Sequence, residues 1–439
     1  MFRAENYDAL IDYPVEMGNF EHGSFEACGV KHRVVISGHQ GFDMARLLRD
    51  LKPICEYQLQ LFQDQPPVND YLFMTLVTDN GYGGLEHRNS TSLMCSRQDL
   101  PRLTDKPDQY RESYRNYLGL CSHEYFHTWN VKRIKPEAFV PYNLAQENYT
   151  EQLWSFEGFT SYYDDLTLVR TGRLSVPQYL ELLGQTITRV MRGKGATRQS
   201  VAESSFDAWT RFYKQDENSP NAIVSYYAKG ALVALCLDLL IRRRTGHEKS
   251  LDDVMRALWQ QYGKTGIGVP DDGVQRIAEQ LVGESLEDFF LLALYSTEPL
   301  PLAELLAFVG VRLHWRAPEN HAENGGKPGC AESPVWLGAR FAEDPQGLKV
   351  SVVFEDGPLM HAGGAAGDVI IAINELKTEQ RKLEDQLSQF VLGDVITLHA
   401  FRRDQLYKTR VSLVEAPKTI AWLALEEGSS AAHPWLQVP

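Results

Sequence analysis

A chain of 439 residues, 43% hydrophobic and 23% charged, has the composition of an ordinary globular protein and the length for two or three domains. Its net charge of −14 argues against a general nucleic-acid binder, which needs clustered Lys and Arg, and weakly favours cationic substrates such as peptide amino termini. The most apolar helical run, 231–241, contains Asp238 and ends at Arg242, Arg243 and Arg244, so it reads as a buried helix and not a membrane span. Six scattered cysteines with no C-x-x-C pair exclude a disulfide scaffold and read as buried thiols. The first residues lack the apolar core of a signal peptide, which points to the cytoplasm.

In chain order, 32–37 reads as a short strand and 43–62 has helical spacing. Residues 71–78 have strand propensity, Asp79-Asn80-Gly81 is a turn signal, and 90–96 reads as a further strand. From 107 to 309 the pattern is helical, with helices expected near 109–129, 150–170, 176–193, 222–244, 251–262, 272–281, 285–295 and 301–309. The Gly-rich break 321–334 has linker composition. Beyond it, 348–354, 369–373 and 395–401 read as strands and 382–391 as a helix, while the tail after Ala416 carries no pattern. The expectation is an α+β chain: a sheet-plus-helices domain over 1–318, a linker over 319–333, a mostly β domain over 334–418 and a tail over 419–439.

The strongest chemical signal is His123-Glu124-Tyr125-Phe126-His127. On a helix, positions i and i+4 share a face, so both imidazoles can bind one metal ion, with Glu124 beside the open coordination position as a proton acceptor for water. A third ligand is needed, and Glu157 follows His127 by 30 residues, enough for a turn, a loop and an antiparallel return. Its neighbours Trp154, Phe156 and Phe159 predict burial, and a buried carboxylate must be paired or metal-bound. Glu151 is the other candidate, with polar flanks.

These residues carry a resemblance. His123 to Trp129, followed by Trp154-Ser155-Phe156-Glu157-Gly158-Phe159, resembles the gluzincin aminopeptidases related to aminopeptidase N. The segment His123-Glu124-Tyr125-Phe126-His127-Thr128-Trp129-Asn130 is closer still to the glycyl aminopeptidase family, and the likeness extends over nearly the whole chain. It implies a thermolysin-like catalytic domain holding one Zn2+ per chain on His123, His127 and Glu157, with Asp164 facing a zinc-bound histidine. Gly81-Tyr82-Gly83-Gly84-Leu85-Glu86-His87 resembles the family's substrate motif. By that resemblance Gly83 and Gly84 let a peptide approach an edge strand, Glu86 holds the free amino group, and His87 lies near the site. In Ser225-Tyr226-Tyr227-Ala228-Lys229-Gly230, Tyr227 matches the family's oxyanion-stabilising tyrosine, with Tyr226 the fallback.

Residues 356–374 resemble a PDZ core, and Leu337, Gly338 and Ala339 stand where PDZ domains capture a peptide carboxylate. Such a domain binds a C-terminal peptide ligand or simply packs on the catalytic unit. Relatives carry a β-rich domain before the family-like segment 7–18, which here starts almost at residue 1, so the chain reads as a fragment or short variant. The expected function is a zinc aminopeptidase removing glycine or another small N-terminal residue from peptides. A zinc endopeptidase of the same clan and a non-catalytic PDZ peptide-binding scaffold are the alternatives.

Overall fold

The computed structural model describes residues 4–38, 41–329, 335–426, 428 and 434–437. Its helices and strands make an α+β protein that divides into two compact units, each assembled from separated stretches of chain. The first holds 1–179, 233–290 and 428–439; the second holds 180–232 and 291–427. Among the described residues no helix is long and apolar enough to cross a membrane.

The first unit is built on a five-stranded sheet of β1 (Phe20–Ala27), β2 (Val30–Ser37), β3 (Asp70–Thr78), β4 (Gly83–Glu86) and β5 (Ser90–Ser96). The order is β1-β2-β3-β5-β4, with β2, β3 and β5 parallel and β1 and β4 antiparallel at the two edges. β3 is central because Tyr71, Phe73, Thr75 and Val77 alternate into the core. The helix Met44–Leu61 starts where the Asp43 carboxylate accepts from the Arg46 amide, and it buries Leu47, Leu51, Ile54 and Cys55 at helical spacing. The strand β1 and the short edge strand β4 carry little apolar alternation, and sequence reasoning had no strand at β1.

Two helices position the chemistry, Glu112–Phe126 and Leu153–Arg170. Phe126 stacks on Tyr163 across them at 4.8 Å, and Trp129, just beyond the first helix, stacks on Phe62 at 4.6 Å. The helix expected over 251–262 ends at Leu258 and widens into a π-turn over Trp259–Gly263; that expected over 285–295 likewise splits into Glu287–Phe290 and a π-turn over Leu291–Tyr295.

The second unit contains the C-terminal sheet: β7 (Ala339–Asp344), β8 (Gly347–Val353), β9 (Val369–Ile373), β10 (Leu376–Lys377), β11 (Val395–Arg402) and β12 (Gln405–Ser412). Its order is β12-β11-β9-β8-β7 with β10 on β9, around a core of Leu337, Leu348, Val350, Ile370 and Leu398. The helix expected at 382–391 is one short segment, Leu383–Leu387. The patternless tail forms β13 (Ile420–Leu425), paired antiparallel with β6 (Val311–Arg316). In the Gly-rich break, Gly325 and Gly326 have φ of +85° and +87°, and a Cβ on Gly326 would fall 2.3 Å from the Glu181 carbonyl oxygen. Their glycine content thus serves close packing as well as turn geometry. Cys330 and residues 331–334 lie outside the described residues.

Candidate metal centre

The helix Glu112–Phe126 is locked into its register by polar contacts on its buried face. Tyr125 shares a 2.9 Å hydrogen bond with His32 Nε2, and Gln58 Nε2 donates to the Ser122 carbonyl at 3.0 Å. His123 lies in its last turn and His127 caps it, with the imidazole planes 84° apart and centroids at 4.8 Å. From the neighbouring helix, Glu157 Oε2 lies 3.4 Å from His123 Nε2 and 3.3 Å from His127 Nε2.

The far side of each ring is already engaged. His123 Nδ1 is 3.1 Å from Asp164 Oδ2, and His127 Nδ1 is 2.6 Å from the Asn130 carbonyl oxygen. A carbonyl only accepts, so His127 Nδ1 carries the hydrogen. In the neutral imidazole Nε2 then presents a lone pair to the Glu157 carboxylate. Glu157 Oε2 is buried without a hydrogen-bond partner. Three electron-rich atoms within 4.8 Å of one another need positive charge between them. The two nitrogens and one carboxylate oxygen, oriented from behind, therefore fit a metal ion.

The electrostatics agree. Burial alone would lower His123 and His127, but Asp164 and Glu157 outweigh it at His123, and Glu157 and Glu86 at His127, holding both above the ordinary histidine range. Burial would raise Glu157, yet the two imidazoles hold it well below the carboxylate range. The field that draws a proton here draws a metal cation equally. Burial pushes Glu124 up to about 7, the histidines pulling against it and Glu86 and Glu157 with it. Its Oε2 has no hydrogen-bond partner, so it is a desolvated base beside the cluster.

The edge strand β4 closes the site. It pairs with β5 on one side only, Gly83 opposite Met94 and Gly84 opposite Leu93. A Cβ on Gly84 would fall 2.2 Å from Glu124 Oε1, so any side chain there forces the Glu124 carboxylate to move. Glu86, at the end of the strand, brings its carboxylate within 4.8 Å of ligand atoms of Glu124 and His127. His87 is buried, with Nδ1 3.7 Å from Asp12 Oδ1. Glu151 is exposed and belongs to neither cluster.

Asn130 was missed as a functional residue. Besides holding His127 through its carbonyl, it donates its amide to Ser155 O at 3.0 Å and Phe156 O at 3.1 Å, tying the end of one helix to the start of the other. Its place in the His-Glu-x-x-His-x-Trp-Asn run was the only available signal.

In the second unit, Tyr226 and Tyr227 open the helix Tyr226–Arg244, and the Tyr227 hydroxyl is 3.0 Å from that of Tyr213. Leu337 and Ala339 are buried on either side of Gly338, which has φ of +73°. The Leu337 and Gly338 carbonyls accept from the Leu359 and Phe354 amides.

The M61 glycyl aminopeptidase family model matches residues 116–233, a span holding both histidines and Glu157. No curated protein matches the chain. Among solved structures, the chain is similar to an aminopeptidase N family protein from Idiomarina loihiensis, with 46% identity over 99% of this chain and 74% of that one, at a TM-score of 0.96. Short stretches also align with the HtrA-type protease AlgW (23% identity, 19% of this chain and 30% of that one, TM-score 0.18) and a serine endoprotease from Yersinia pestis (26%, 19% and 30%, TM-score 0.18), too partial to carry an argument. A likeness of nearly half the residues over almost the full length, joined to the family match across the two site helices, places this chain in the M61 glycyl aminopeptidase family of peptidases.

Proposed function

We propose that the protein is a zinc-dependent aminopeptidase that removes glycine or another small N-terminal residue from peptides. The observation that carries this reading is the convergence of His123 Nε2, His127 Nε2 and Glu157 Oε2 on one point, with both Nδ1 atoms held from behind. Two imidazoles and one carboxylate suit zinc and leave a coordination position open. When bound, zinc supplies a Lewis acid that polarises the scissile carbonyl and acidifies water.

The chain's own residues do the rest. Glu124, desolvated and poised near neutrality, takes a proton from the attacking water at its carboxylate and returns it to the leaving amine. Glu86 holds the substrate ammonium by a charge-assisted hydrogen bond, which makes the reaction an exopeptidase one. Gly83 and Gly84 give the peptide main chain access to the open edge of β4. Tyr227 donates to the developing oxyanion, and Asp164 keeps the His123 ring oriented. A thermolysin-like arrangement over 1–318 and a PDZ-like domain over 334–418 belong to the same reading, supported by the five-stranded sheet with its two site helices and by the separate C-terminal sheet. In that domain Leu337, Gly338 and Ala339 form the carboxylate loop.

Hydrolysis of a panel of aminoacyl amides against their N-acetylated counterparts, with and without chelator, tests the proposal. Free amino termini should be required and chelation should abolish turnover. Glu124→Gln should keep its metal and lose activity by several orders of magnitude. Rapid cleavage of blocked peptides, with Glu86→Ala near wild type, would instead establish an endopeptidase. Metal without any hydrolysis would leave a peptide-binding scaffold.

A further inference from the structure

A cavity of about 340 Å³ in the second unit has Arg189, Arg192 and Arg340 in its wall, and no Asp or Glu among its lining residues. Some acidic residues next to its wall have cationic partners of their own. The Glu323 carboxylate accepts from Arg316 at 3.0 Å, Asp356 pairs with Lys194 at 3.4 Å, and Asp207 with Arg211 at 3.3 Å. Arg192 donates to the Glu323 carbonyl oxygen, a neutral acceptor. Burial and the neighbouring Arg189 guanidinium hold Arg340 below the usual arginine range. Arg189 is exposed and Arg340 half-buried, so Arg340 is the guanidinium with most to gain when an anion joins the group.

The rest of the wall relates this cavity to Tyr227. Ser225 and Ala228, which flank Tyr227 in sequence, line it, as does Phe212. The Phe212 ring stacks on Tyr227 at 5.6 Å and 26° and meets Tyr226 at 4.7 Å, so one aromatic ring separates the candidate oxyanion donor from the arginines.

We infer that Arg189, Arg192 and Arg340 form an anion subsite that takes the C-terminal carboxylate of a short peptide. Planar guanidinium donors match a carboxylate in bidentate fashion, and the flanking Phe212, Ile223 and Phe354 suit an apolar side chain on the last residue. The link to turnover rests on the aminopeptidase reading; the anion site does not.

Isothermal titration of the full chain with acetyl-Gly-Ala-Leu-Phe, as free acid and as C-terminal amide, reads the site without any need for catalysis. The acid should bind at least tenfold more tightly. That preference should vanish in Arg340→Gln and Arg189→Gln and survive in part in Arg340→Lys, which controls for misfolding. Equal affinities, or a preference that persists in both Gln variants and so belongs to the loop 337–339, overturn the subsite. Turnover of unblocked Gly-Ala-Leu-Phe and its amide then tests the link. A higher kcat/KM for the acid supports it, and equal values break it. Preferential binding with no hydrolysis of either peptide would end the aminopeptidase reading and leave the anion site standing.

Discussion

Gly84 has no side chain because Glu124 occupies the space one would need: a Cβ there would sit 2.2 Å from the Glu124 carboxylate oxygen. The edge strand and the helix Glu112–Phe126 are therefore packed backbone against carboxylate. Gly84→Ala should displace the Glu124 side chain and lower kcat at least a hundredfold, because a misplaced base loses its alignment with water and substrate. Metal content should stay near one per chain, since the three atoms nearest to the added Cβ belong to Glu124 and none to His123, His127 or Glu157. An alanine variant with wild-type kcat would show that Glu124 has room to move and that its position is not critical.

Asp164 meets His123 Nδ1 at 3.1 Å. Removing a carboxylate that orients a metal-bound histidine commonly costs ten- to a hundredfold in metal affinity. Asp164→Ala should show a loss of that size in competition with a fluorescent chelator. An unchanged affinity would reduce the contact to an incidental ion pair.

Asn130 joins the two site helices. Its amide reaches Ser155 O, Phe156 O and, at 3.3 Å, Thr160 Oγ1. In Asn130→Ala these buried acceptors lose their donor, which costs about 1–3 kcal/mol. Denaturant unfolding should register that loss. Metal affinity should fall too, because the Asn130 carbonyl that fixes the His127 tautomer will shift with the loosened turn. Full stability in the variant would mean that water replaces the amide without penalty.

His32, hydrogen-bonded to Tyr125 on the helix that carries both site histidines, predicts a pH dependence of stability. Burial lowers it from 6.5 to about 4, against the opposing pull of the hydrogen bond with the Val30 carbonyl. Between those values the unfolded chain binds a proton that the folded one refuses, so stability falls as pH falls through this window. The loss is roughly 1.4 kcal/mol by pH 5.5 and about 3 kcal/mol once pH drops below 4. Urea unfolding at pH 7.5 and 5.5 should reveal the first part of it. His32→Phe should reduce the difference between the two pH values by that amount, whatever it does to stability overall. An identical difference in the variant would assign the dependence to other groups.

Local periodicity determined much of this protein. The spacing of His123 and His127 follows from 3.6 residues per turn, and the apolar flanks of Glu157 follow from burial of its helix; neither needs a distant partner. The same holds for β2, β3, β5 and most helices, whose patterns are long enough to read. Tertiary structure decided the rest. The Gly84–Glu124 contact, the reach of Asn130 to the next helix, and the pairing of β6 with β13 across more than 100 residues each depend on a register that no short window encodes. β13 lies in a stretch with no periodic signal of its own, and it becomes a strand only because Val311–Arg316 offers it hydrogen-bond partners. Intrinsic pattern specifies an element when that element buries one face of its own accord; where burial and hydrogen bonding are supplied by a partner far along the chain, only the folded structure can say which residues meet.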